Sequence, residues 1–175
     1  RITPADRDTI VLRLPESQRP PAKALTAPQR ARRLQYQHRY ADAALLLDQW
    51  LQQHPDDADA RLQRAQIRLA LEQPRAALAD CLRAAPRLDA LAATGCQAQA
   101  MAALGAITRA RADIEAALAR AASSPDVMSW AQGIAAELAL RTGDVRGAER
   151  WHRAALGNAG SAHFPRIAYA EFLLQ

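Results

Sequence analysis

Alanines recur in this chain at a spacing close to 34 residues, and that period constrains the fold more than any other feature. Ala43, Ala77, Ala110 and Ala148 stand 34, 33 and 38 residues apart. Twelve residues before each lies another alanine: Ala31, Ala65, Ala98 and Ala136. Seven residues after them stand Trp50, Ala84, Ala117 and Ala155. Between the two alanines of each set falls a turn signal: His38-Arg39, Glu72-Gln73-Pro74, Gly105 and Gly143-Asp144. A period of roughly 20–50 residues marks stacked supersecondary units, none of which buries its apolar face alone. Small residues on both sides of a turn mark two helices in close approach.

Composition agrees with helices. Half of the 175 residues are apolar, only eight are aromatic, and alanine supplies much of the apolar surface. Alanine is the best helix former and a poor strand former, so an all-α core follows. The length suits one domain. No run of 18 apolar residues occurs, so no membrane span is expected.

The net charge of +5 resembles a nucleic-acid signal until it is located. Residues 1–35 hold seven arginines and Lys23 against Asp6, Asp8 and Glu16, which alone makes +5. Residues 36–175 hold fifteen arginines and fifteen acids, which cancel. The body is neutral, so nucleic acid is not the expected partner.

This frame resembles the tetratricopeptide repeat (TPR), a helix-turn-helix unit of about 34 residues. In that family small residues occupy positions 8, 20 and 27, where the helices touch. The resemblance covers about residues 27–175. It divides them into units of about 24–57, 58–90, 91–128 and 129–162, with a final helix over 163–175. The small positions match well and the large ones poorly. The usual tryptophan at position 4 is replaced by Ala27, Arg61, Thr94 and Gln132. The usually aromatic position 24 holds Leu47, Cys81, Ile114 and His152. The resemblance implies a right-handed α-solenoid of about four TPR-like helix pairs plus a C-terminal capping helix, HFPRIAYAEFLLQ. An extended proline-rich arm, residues 1–23, precedes it.

Local signals fit these units. Thr26-Ala27-Pro28-Gln29 reads as a capping box with proline in the first turn. Asp56 or Asp57 can cap the helix after Pro55. Pro74 starts a second helix, and Ser124-Pro125-Asp126 opens a first one. The arm carries an apolar patch at Ile10, Val11 and Leu14, either a leader or a segment laid on the repeats or on a second copy. Pro4-Ala5-Asp6, Val11-Leu12 and Leu14-Pro15 resemble the start of exported bacterial TPR proteins of unassigned function. That resemblance implies a periplasmic or otherwise exported protein. The first residue, Arg1, fits removal of a signal peptide and equally fits a trimmed chain.

Enzymatic constellations do not emerge. No glycine-rich phosphate loop is present. His38, His54, His152 and His163 lack the three- or four-residue spacing of a zinc face, and His152 is expected to be packed. Ser123, Ser124, Ser129 and Ser161 have no nucleophile-elbow setting. The expectation is a non-enzyme without cofactor or metal.

The resembled fold instead implies a concave groove lined by the first helix of each unit. Transferred position by position, the first unit contributes Arg32, Gln35 and Tyr36. The second contributes Asp59, Leu62, Gln66, Leu69 and Ala70, and the third Ala92, Gly95, Gln99, Ala102 and Ala103. The fourth contributes Trp130, Gly133, Glu137, Leu140 and Arg141. Tyr36, Leu62, Leu69 and Trp130 are candidate anchors, Trp130 being equally suited to internal packing. A protein or peptide partner is implied. A homodimer formed through the arm or the array ends is the alternative. The lysine and asparagine clamp of chaperone-tail-binding members is missing, since Arg32, Gln66 and Gln99 stand where it would be.

The two cysteines, Cys81 and Cys96, fall on a second helix and on the next unit's first helix, which are neighbours in such an array. A metal pair lacks further ligands nearby, and the C-x-x-C redox spacing is absent. Two separate buried thiols also fit the frame, but the expectation is a Cys81–Cys96 disulfide, worth about 3 kcal/mol for a loop of this length. A disulfide would imply an oxidising compartment.

Overall fold

The structure is a computed structural model that describes residues 24–160 and 163–174. The expectations placed on residues 1–23 and on Ser161 lie outside the described residues. Nine α-helices follow one another with no strand among the described residues. They are α1 (Ala27–Tyr36), α2 (Tyr40–Gln53), α3 (Ala58–Ala70), α4 (Pro74–Ala84), α5 (Ala90–Ala103), α6 (Ile107–Leu118), α7 (Pro125–Arg141), α8 (Val145–Asn158) and α9 (Phe164–Leu173). A 3-10 turn, Ala85–Arg87, joins α4 to α5. Odd and even helices pair, and each odd helix also packs on the pair before it. The result is an all-α solenoid.

The alanine period is the seam of each pair. Ala31, Ala65, Ala98 and Ala136 on the odd helices are at most 1% exposed. Ala43, Ala77, Ala110 and Ala148 on the even helices are wholly buried. Alanine on both sides lets two backbones close in without a cavity. Beside this seam the even helices bury Leu47, Cys81, Ile114 and His152, one per unit.

All four turns within pairs have one geometry. The residue fifteenth in each unit is left-handed: His38 (φ 57°), Glu72 (φ 57°), Gly105 (φ 95°) and Gly143 (φ 81°). The next amide then donates back to a carbonyl five residues earlier, Arg39 to Leu34, Gln73 to Arg68, Ala106 to Met101 and Asp144 to Ala139, at 2.8–3.0 Å. This is the Schellman ending, which satisfies carbonyls the helix leaves open. Glycine adopts it freely, whereas His38 and Glu72 adopt it at a cost.

The helix starts also follow local chemistry. Thr26 and Gln29 form the expected capping box on α1. Asp57, not Asp56, caps α3, and Ser124 caps α7 ahead of Pro125.

One polar feature left no readable trace in the sequence. Arg64 on α3 donates through Nε to Asp80 on α4 at 2.8 Å and through Nη1 to Asp48 on α2 at 2.6 Å. Arg68 adds a 2.8 Å bond to Asp80, whose side chain is 1% exposed. Burying that carboxylate is tolerable only because two guanidiniums satisfy it.

The last helix lies over α8, as expected of an end helix. Pro165, Ala168, Tyr169 and Phe172 turn inward, and His152 packs 5.1 Å from the Phe172 ring and 5.9 Å from that of Tyr169. Burial holds the His152 imidazole below its ordinary value of 6.5. The other side of α9 is not the polar face of a terminal cap. Phe164, Ile167, Leu173 and Leu174 are all more than half exposed there.

Candidate binding groove

The first helices of the pairs, α3, α5 and α7, are neighbours along one side of the solenoid and enclose a cleft of about 230 Å³. Leu69 comes from α3, Gln99, Ala102 and Ala103 from α5, and Ile134, Glu137, Leu138 and Arg141 from α7. The sequence placed six of these eight in the groove. Ile134 and Leu138 were missed because they follow the heptad-like spacing of core residues. Both are core residues, 3% and 1% exposed, that lie under the cleft rather than on its surface.

The cleft has an apolar floor and a polar end. Arg141 donates to the Ala102 carbonyl at 3.1 Å and pairs with Glu137 at 3.4 Å. The carbonyl belongs to the last turn of α5, where a cation complements the helix dipole. Arg141 thus closes one end of the cleft and ties α7 to α5. Gln99 is half-buried and offers an amide beside the apolar wall.

The other expected groove residues spread along the same side. Leu62 and Gln66 are half-buried on α3, and Leu62 packs against the Cys81–Cys96 cluster. Arg32 and Tyr36 lie on α1 away from the cleft, Tyr36 being 80% exposed. Trp130 is half-buried and packs into the array. A Cβ built on Gly95 of α5 would lie 2.7 Å from its six-membered ring and 3.2 Å from Ile134 Cδ1. Gly95 is therefore the seat of the Trp130 indole, and any larger residue there would push α7 off α5.

Beneath this seat Cys81 and Cys96 are bonded, with Cα atoms 5.6 Å apart. The bond links α4 to α5 and so joins the second pair to the third. Both sulfurs are buried. Among the described residues no set of three His, Cys, Asp or Glu side chains is placed to hold a metal ion. No helix there is long and apolar enough to cross a membrane.

Paired helices, repeated Schellman turns and a cleft lined by successive first helices define a helical-repeat solenoid. No family model and no curated protein matches the sequence. Among solved structures the chain is similar to a thermophilic TPR protein of Thermus thermophilus. The likeness has a TM-score of 0.51 at 21% identity and covers 85% of this chain and 98% of that one. The chain has a TPR-like fold.

Proposed function

We propose that this protein is a non-catalytic scaffold that holds a protein or peptide in the groove formed by α3, α5 and α7. The observation that carries the reading is the cleft itself. Three successive units contribute an apolar floor, an amide and an ion pair to one concave site, the composition that suits a side chain and the backbone beside it. Leu62, Gln66, Leu69, Gln99, Glu137 and Arg141 are its candidate contacts and Trp130 supports the floor, whereas Arg32 and Tyr36 on α1 would be met only by a partner that runs past the cleft. The disulfide supports residence in an oxidising compartment such as the bacterial periplasm.

The test is capture of partners from periplasmic extract by the intact protein and by Leu69→Ala, Gln99→Ala and Tyr36→Ala. Proteins enriched by the wild type should be lost from the first two variants. Retention of every partner by all three would remove the groove assignment.

A second reading, self-association, is favoured by the exposed apolar side of α9. Sedimentation decides it. A stable dimer weakened by Phe164→Ser or by deletion of residues 1–23 would replace the first reading, whereas a monomer supports a foreign partner.

A further inference from the structure

α9 packs in the array as a first helix, and one of its sides is uncovered. On α7 the side facing the preceding pairs is Ala131, Ile134, Ala135 and Leu138, all at most 3% exposed. The residues 34 places on, Pro165, Ala168, Tyr169 and Phe172, form the side of α9 that turns towards α7 and α8. The two helices therefore share one register. A second side of α7, Gln132, Ala136 and Ala139, is covered by α8 and at most 6% exposed. Its counterparts on α9, Arg166, Ala170 and Leu173, are all exposed, Leu173 to 61%. Ala170 thus continues the series of seam alanines Ala31, Ala65, Ala98 and Ala136, which are at most 1% exposed. It stands about two helical turns from the start of α9.

We propose that this open seam binds an amphipathic α-helix of a partner protein, laid along α9 as the second helix of each unit is laid along its first. The surface is separate from the groove and goes beyond the reading above. The four internal seams state the chemistry of the occupant. Each second helix brings an alanine against the first-helix alanine, so the two backbones close in. Paired helices run antiparallel through their short turns. The residue facing Leu173, three places after Ala170, therefore stands three places before the occupant's alanine. The second helices carry Tyr40, Pro74, Ile107 and Val145 there, all apolar. Charge completes the match. Arg166 precedes its seam alanine by four places, as Arg61 does in the second unit. Arg61 lies 3.7 Å from Asp80, which follows the seam alanine Ala77 by three places. One nitrogen of Arg166 donates to the Gly160 carbonyl at 3.0 Å, which leaves its other donors for a carboxylate. The occupant is a helix that presents an apolar residue, an alanine and an acid at intervals of three, all on one face. α6 of this chain has that order in Ile107, Ala110 and Asp113.

The probe is a blocked peptide of residues 105–120, which contains the whole of α6. It is titrated into the isotope-labelled intact chain and followed by amide resonances. Saturable shifts at Ala170 and Leu173 are expected, with the cleft residues Leu69 and Gln99 unmoved. Ala110→Leu in the peptide should weaken binding about tenfold, because the backbones no longer close in. Asp113→Asn in the peptide should weaken it about threefold, with no further loss when that peptide meets Arg166→Gln in the protein. Ala170→Leu in the protein should abolish the shifts, and Leu173→Ser should weaken them if the first variant fails to fold. Equal binding by the Ala110→Leu peptide would overturn the proposal, as would a titration without shifts. Shifts along α5 instead would mark exchange with α6 itself and overturn it. Binding that appears only after deletion of residues 1–23 would give the seam to the chain's own arm. Shifts at Ala170 that follow protein concentration alone would give it to a second copy, and either result overturns the proposal.

Discussion

The junction between the second and third helix pairs and that between the third and fourth share one register but are filled by different chemistry. At the first, Cys81 on α4 and Cys96 on α5 are joined by a covalent bond, and the surrounding buried residues are Ala65, Ala77 and Ala100. At the second, the same two places hold Ile114 on α6 and Ile134 on α7, and the buried cluster adds Leu91, Leu118 and Leu138 to Ala98, Ala102, Ala110, Ala131 and Ala135. Branched aliphatic side chains stabilise a junction through the area they remove from water. The fully buried alanines bury little and Leu62, Leu69, Leu78 and Trp130 pack there only in part, so the first junction leans more on the disulfide, which acts mainly by restricting the unfolded chain. Two neighbouring interfaces of one solenoid therefore answer to different conditions, one to packing and the other to redox state.

The largest expected effect breaks the packed junction. Ile114→Ala should cost about 2–5 kcal/mol, because Ile114 is wholly buried and its neighbours relax only in part. Denaturant unfolding measures it, and the loss should be the same with or without reductant. Next, Cys81→Ala combined with Cys96→Ala should cost about 3 kcal/mol for a loop of this length. That loss should vanish when wild type and variant are compared in reductant. Native protein should also take up no alkylating agent before reduction, and two labelled thiols in untreated protein would remove the disulfide.

Gly95→Ala probes the contact above the disulfide. Its Cβ would meet the Trp130 ring and Ile134, and overpacking of this kind costs about 1–3 kcal/mol. Tryptophan fluorescence should shift with the loss. A smaller gain, up to about 1 kcal/mol, is expected from Glu72→Gly, which relieves a left-handed residue in the turn of the second pair. The smallest effect is at the end of the array. The folded-state value of His152 lies below 6.5, so the unfolded chain binds the extra proton first as pH falls. Stability should be complete above pH 6.5 and decline as pH drops through that value towards the folded one. The decline is visible as faster amide exchange in α9 and should disappear in His152→Phe.

The alanine period, the capping residues and the proline starts are legible because each acts through neighbours a few places away in the chain. Thr26, Asp57 and Ser124 cap helices for reasons contained in four residues. Leu69, Gln99, Glu137 and Arg141 line the cleft at positions the repeat frame places on the inner side of each first helix; their contact with a partner remains the proposal. Ile134 and Leu138 border the cleft from below as buried core residues, a relation between helices that spacing does not carry. The buried Arg64–Asp80 pair was hidden for another reason. Arginine at one unit's seventh position is a surface charge until a carboxylate from another helix is brought against it.

The sequence by itself determined the number of helices among the described residues, their pairing and the side of each that faces its partner, because those follow from periodicity and local backbone preference. The repeat frame already set Cys81 and Cys96 on neighbouring helices, and the structure bonds them; only the tertiary structure decided that Trp130 sits on Gly95. It alone showed that α9 turns an apolar side to solvent. Those outcomes depend on distances between helices from different units. Such distances are set by which side chains fill each junction together, and no single position in the chain specifies them.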